Sequence, residues 1–137
     1  IEEKMDSTDK AKLAALNKTL ERLEQEKVAA EAGIEELLHK LPTDPKLLFF
    51  YGQGCSFTKR AHPEIQCLEL QLGKRVTRLE TWDNKQNAER YGEVGGPALC
   101  GGVPFFFNTA TGNSVCGARQ CEVLTRWATA TTKLNLD

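Results

Sequence analysis

The side chain around which chemistry can be built is Cys55. It stands in the stretch Leu47-Leu48-Phe49-Phe50-Tyr51-Gly52-Gln53-Gly54-Cys55-Ser56-Phe57-Thr58-Lys59-Arg60-Ala61-His62-Pro63. Five apolar residues ended by glycines read as a strand buried on both faces. Gly52 and Gly54 then turn the chain sharply, and a helical pattern follows with Cys55 in its first turn. The free N–H groups and the positive dipole end of a helix stabilise an anion. A thiolate held there has a lowered pKa and is the nucleophilic form of cysteine. The same pattern also suits a small cysteine buried at a helix start.

The other candidate groups are weaker. Cys67 falls at helical spacing with Ile65 and Leu68 and reads as core. Cys116 and Cys121 flank the Gly117-Ala118 turn. No cysteine pair has metal-site spacing, so no metal and no cofactor are expected. His62 lies seven residues past Cys55, about 10 Å along a helix axis, too far for a Cys–His ion pair. The five cysteines form no dense disulfide framework, and the reading is a reducing compartment or a redox function.

The Cys55 stretch resembles the active site of the thioredoxin family. That site is a Cys-x-x-Cys at a strand-to-helix turn, then a Lys, with a Pro eight residues after the first Cys. Cys55, Thr58, Lys59 and Pro63 stand at those places. Pro63 is an informative match, since a helix-interior proline removes a backbone hydrogen bond. The departures are Thr58 for the second, resolving Cys, Gly54 for the Trp that commonly precedes the first Cys, and Phe49 for the family's buried acid. Three later segments extend the resemblance over residues 46–130: Asp83-Asn84 to Arg90-Tyr91-Gly92, Val103-Pro104 as the family's cis-proline, and Gly117-Ala118 before the last helix. Cys55-Ser56-Phe57-Thr58 also echoes in part the Cys-Gly-Phe-Ser of monothiol glutaredoxins, without the Lys and the Gly-Gly-x-Asp-Asp by which those proteins hold glutathione.

The resemblance implies thiol-disulfide exchange. Cys55 would attack a disulfide of a protein or small-thiol substrate and form a mixed disulfide. Thr58 cannot release it, but its hydroxyl can donate to the thiolate. Ser56, Phe57, Val103 and Pro104 would contact the substrate, with a cis bond at Val103-Pro104 turning the Val103 backbone toward an extended peptide; the alternative is an ordinary trans proline at a strand start. Cys100 lies in the unusual loop Glu93–Gly102, four residues before Pro104. Two readings of it stay open: a relocated resolving thiol for Cys55, which needs Cα atoms within about 7 Å, or a small residue packed under the loop.

The elements that must position these groups follow in order. A helix is expected over 57–72, terminated by Gly73, then a strand over 75–82. Asp83 and Asn84 cap a helix to about Tyr91. Strands follow at 103–107 and 114–116, then a helix over 120–132. The order predicts an α/β domain at 46–137, a thioredoxin-like mixed four-stranded sheet flanked by helices, with a right-handed crossover between its parallel strands.

Residues 1–41 differ in kind. They hold no proline or aromatic residue and carry 7 basic against 10 acidic side chains; the remainder carries 11 against 9. After Ser7, Thr8 and Asp9 as N-caps, apolar residues recur at steps of three and four: Leu13, Leu16, Leu20, Leu23, Ala30, Ile34, Leu37 and Leu41, interrupted by Lys27. This heptad pattern predicts a long coiled-coil helix that pairs with another copy, most simply as a homodimer. A single helix packed on its own domain is the alternative. Pro42-Thr43-Asp44-Pro45 would end it as a stiff linker.

Composition narrows the function classes. Hydrophobic content of 40% and charged content of 27% suit a globular chain. A net charge of −1 gives no reason to expect nucleic acid or a membrane surface, and no apolar run approaches a membrane span. No signal peptide is visible, and a start at Ile1 reads as a trimmed or processed chain, soluble and cytoplasmic or organellar. Two classes stay open: an atypical thiol-disulfide exchange protein, and a non-catalytic thioredoxin-like interaction module oligomerised by its coiled coil.

Overall fold

The computed structural model describes residues 7–136. The chain is α/β and divides into two compact units, one up to Lys40 and one from Leu41 onward.

The first unit is α1 (Ser7–His39), 33 residues and about 50 Å long. Helix is already formed at Ser7, so Thr8 and Asp9 lie in its first turn rather than before it. Leu41, expected as the last seam residue, falls outside the helix. Pro42 disfavours the helical conformation at the residue before it, and the amide of Lys40 closes the end on the Leu37 carbonyl at 3.2 Å. Leu13, Leu16, Leu20, Leu23 and Leu37 are each 49–61% exposed. Exposed ion pairs Arg22–Glu26 and Lys27–Glu31, both 4.0 Å, run along the helix and each adds about 0.3–0.5 kcal/mol. Among the described residues no helix is long and apolar enough to cross a membrane.

The second unit is built on a mixed sheet of order β2-β1-β3-β4. β1 (Thr43–Tyr51) runs parallel to β2 (Arg75–Glu80) and antiparallel to β3 (Phe105–Asn108), which pairs antiparallel with β4 (Ser114–Cys116). Side chains of β1 alternate between two cores, as a central strand requires. Leu47 and Phe49 join Ile65 and Leu68 of α2 (Ser56–Leu72) and Leu124 and Trp127 of α5 (Cys121–Thr129). Leu48 and Phe50 face Phe105, with Tyr91 and Val94 packed on that side by α3 (Lys85–Glu93).

Several element ends depart from the sequence reading. Thr43 and Asp44 are strand, not linker: they pair with Arg75 and Val76 before the register shifts between Asp44 and Leu48. Pro45 has no N–H to give a ladder, which is why it sits at the irregularity. β2 stops at Glu80 rather than Trp82 because the Glu80 carboxylate accepts the amides of Trp82 and Asp83 at 3.1 and 2.6 Å and curls the chain. β3 opens at Phe105 rather than Val103. α5 ends at Thr129, and the tail after it is held by Asn113, whose Nδ2 donates to the Thr132 carbonyl and whose Oδ1 accepts from the Leu134 amide. The glycine-rich loop after α3 contains a short helix, α4 (Gly96–Leu99), with Pro97 in its first turn.

Candidate functional site

The site grows from the turn that joins β1 to α2. Gly52 lets the indole of Trp82 lie against the backbone, since a Cβ there would overlap that ring. Gly54 adopts φ 86°, a left-handed value that favours glycine. The amide of Cys55 donates to the Gly52 carbonyl at 3.0 Å. Cys55 is then the N-cap of α2, with extended φ and ψ of −66° and 128°. Its sulfur is therefore brought to the helix N-terminus, where free amides gather.

Cys55 is buried, with 8% of the residue exposed. Burial pushes its pKa up, but the amide of Thr58, the Thr58 hydroxyl and the amide of Phe57 together outweigh burial and hold it below the ordinary thiol value. The Thr58 hydroxyl oxygen is itself buried, with no other hydrogen-bond partner. On the opposite side the Val103 carbonyl oxygen lies 4.0 Å from Cys55 Sγ, and the Val103-Pro104 peptide is cis. Cys55, Thr58 and Val103 thus meet, although 48 residues separate Cys55 from Val103, and Pro104 follows Val103 across the cis bond. Ser56 and Phe57 are exposed at the rim, with the Arg60 guanidinium 5.4 Å from the Phe57 ring centre.

The cysteine reading needs correction. Cys100 is not a free thiol near Cys55: it is bonded to Cys116, with Cα atoms 5.2 Å apart. Cys67 is not merely core; it is bonded to Cys121 with a Cα separation of 6.0 Å, joining α2 to α5. Two disulfides therefore stand where no framework was expected, and Cys55 is the free cysteine. The spacings, 54 and 16 residues, follow no short motif. The pairs form because α5 packs on α2, and because α4 ends beside β4. Among the described residues no group of three or more His, Cys, Asp or Glu is gathered to hold a metal ion.

Three supporting residues escaped the sequence reading. Glu80 accepts the Gln53 amide at 3.0 Å besides those of Trp82 and Asp83, so it ties the end of β2 to the turn that presents Cys55. These amides, that of Asp83 foremost, hold its carboxyl below the usual range. Tyr91 donates from its hydroxyl to the Gly102 carbonyl at 2.8 Å and so fixes the approach to Val103; burial pushes its pKa up. Glu69 is fully buried on α2 and accepts two bonds from the Arg78 guanidinium at 2.9 and 2.7 Å and one from the Val76 amide at 3.0 Å. The signal for Glu69 was an acid on the apolar face of a helix, one turn past Ile65. An acid ahead of the Trp82-Asp83-Asn84 turn gave a fainter signal for Glu80.

Two hollows adjoin residues of the site, one at Val103 and one at Thr58. A groove of about 260 Å³ is lined by Trp82, Tyr91, Gly102 and Val103 among others. A cavity of about 170 Å³ lies behind Thr58, among Phe49, Tyr51, His62 and Arg78. Comparison with protein-family models, with curated proteins and with solved structures gave no match.

Proposed function

We propose that the chain is an atypical thioredoxin-like thiol-disulfide exchange protein with Cys55 as its nucleophile and a homodimer formed through α1. The observation that carries this reading is the environment of Cys55. The thiol is free and capped on a helix N-terminus, its pKa is lowered by two amides and a hydroxyl, and a backbone carbonyl stands across from it. The Cys55 thiolate attacks one sulfur of a substrate disulfide, forming a Cys55–substrate disulfide and releasing the other substrate sulfur as a thiolate. A second thiolate, from the substrate or a small external thiol, then attacks the substrate sulfur. It leaves Cys55 as thiolate and carries the substrate away as a disulfide. With Cys100 bonded to Cys116, this second thiol comes from outside the chain.

One observation favours a binding role instead. Cys55 is 8% exposed while Phe57 and Trp82 are 53% and 58% exposed, so these two aromatic residues are far more accessible than the cysteine. On that reading the face binds a partner protein and α1 oligomerises it.

Exchange chemistry separates the two. Brief alkylation of the native protein should label Cys55. Thr58→Cys supplies a second thiol that attacks Cys55 Sγ and releases the substrate thiolate; with a small thiol present to reduce the disulfide so formed, it should accelerate reduction of a protein disulfide substrate by at least tenfold. A folded Thr58→Cys variant with no gain points to the binding role.

A further inference from the structure

The seam of α1 has a symmetry that selects a direction for its partner. From Leu13 the seam steps to Leu16, Leu20 and Leu23; back from Leu37 it steps to Ile34, Ala30 and Lys27. The two runs have the same alternation of three and four residues. In a second helix laid the opposite way, Leu13 therefore faces Leu37, Leu16 faces Ile34, Leu20 faces Ala30, and Leu23 faces Lys27. Each facing pair joins an a position to a d position, the arrangement in which antiparallel helices interdigitate.

Charge makes the same choice. The half Ser7–Leu23 carries Lys10, Lys12, Lys18 and Arg22 against Asp9 and Glu21. The half Glu24–His39 carries Lys27 against Glu24, Glu26, Glu31, Glu35 and Glu36. A parallel pair sets basic half on basic half and acidic on acidic. It also stacks Lys27 on Lys27 in one core layer and brings Glu26 to Glu31 of the other chain. An antiparallel pair sets each basic half along an acidic one, opposes the helix dipoles, and puts Lys27 opposite Leu23. Near the twofold the Glu24 and Glu26 side chains of both copies gather, and the two Lys27 stems, laid over Leu23, carry their ammonium groups among them. The leucines of this seam are already about half exposed and have the chemistry to receive it.

We infer that α1 pairs with α1 of a second copy as an antiparallel homodimer in the register Leu13–Leu37, Leu16–Ile34, Leu20–Ala30, Leu23–Lys27. The inference rests on the self-association proposed above. The two His39 ends then lie roughly 40 Å apart along the helix axis.

The test uses the full chain in a Cys55→Ser background, which leaves the two native disulfides in place. Light scattering reports the mass. Leu16→Cys and Ile34→Cys variants are then oxidised separately and after mixing through a dissociated state. The antiparallel register predicts a dimeric mass, a covalent dimer only in the mixture, and little from either variant alone. Covalent dimers from each variant alone indicate parallel helices and overturn the direction while sparing self-association. A monomeric mass overturns both. If these substitutions reduce helix content, Leu20→Cys with Ala30→Cys repeats the test one layer along, and a dimeric mass with no cross-link in either mixture overturns the register.

Discussion

Thr58 occupies the position that decides what Cys55 can do. Its amide and hydroxyl both favour the thiolate; in the exchange proposed above, its lack of a sulfur would leave a mixed disulfide without a neighbour to break it. Thr58→Val keeps the shape and the amide and removes the hydroxyl. The pH midpoint of Cys55 alkylation should therefore move upward; an unmoved midpoint would assign the stabilisation to the amides alone. The same ionisation is linked to stability. A thiol whose pKa is lowered by folding contributes stability that is fully present above its unfolded pKa and is lost as pH falls through its folded pKa. The stability difference between the native chain and Cys55→Ser should thus grow as pH rises across that window, as followed by urea denaturation. Glu80 works at one remove: it touches no sulfur, but it holds the Gln53 amide of the turn that places one.

At the scale of elements, α2 and β2 are joined by a charged contact inside the apolar core. Glu69 is fully buried, and the Arg78 side chain that grips it with two bonds is 27% exposed. Arg75 adds a further contact at 3.6 Å. Such a pair adds little over a well-packed apolar substitute, but loss of one partner strands a charge in low dielectric. Arg78→Met should lower stability by about 3 kcal/mol, the small end of the usual range because the guanidinium keeps some solvent. Replacing Glu69 and Arg78 together with apolar residues of like volume should cost clearly less than the single change. A double-mutant cycle by chemical denaturation measures both, and a double loss equal to the sum of the two single losses would deny the coupling. Elsewhere the elements end where local chemistry stops them. Pro42 releases Leu41 from α1, and the Glu80 carboxylate draws the chain out of β2.

At the scale of the molecule, the two disulfides bind distant parts of the second unit. Cys67–Cys121 ties α2 to α5 across 54 residues of sequence, and Cys100–Cys116 ties the end of α4 to β4 across 16. Chain entropy alone gives about 4 kcal/mol for the longer loop and about 3 for the shorter. A Cys67→Ser, Cys121→Ser double variant should therefore be destabilised more than a Cys100→Ser, Cys116→Ser variant, each measured against the native protein under non-reducing conditions. The shorter link has a second consequence. It anchors the loop that ends in Val103, together with the Tyr91 hydroxyl bond to Gly102. Its loss should slow Cys55 alkylation or disulfide exchange more than loss of the longer link does.

The sequence by itself determined the parts of this protein that depend on neighbours in the chain. The apolar run before Gly52 makes a two-faced central strand, and the glycine turn puts Cys55 at a helix start. The three-four spacing of leucines makes a long helix with an exposed seam, and the order of periodic segments makes a mixed four-stranded sheet. Local steric rules and side-chain periodicity are enough for these. Tertiary structure alone decided which groups from far-apart segments meet. Nothing near Cys100 or Cys116 in sequence announces a bond between them; it exists because β4 lies beside the loop after α4. Likewise Glu80 finds Gln53, Glu69 finds Arg78, and Val103 faces Cys55 only once β1, β2 and β3 are in register. Pairing of this kind depends on distances set by packing, to which periodicity along the chain is blind.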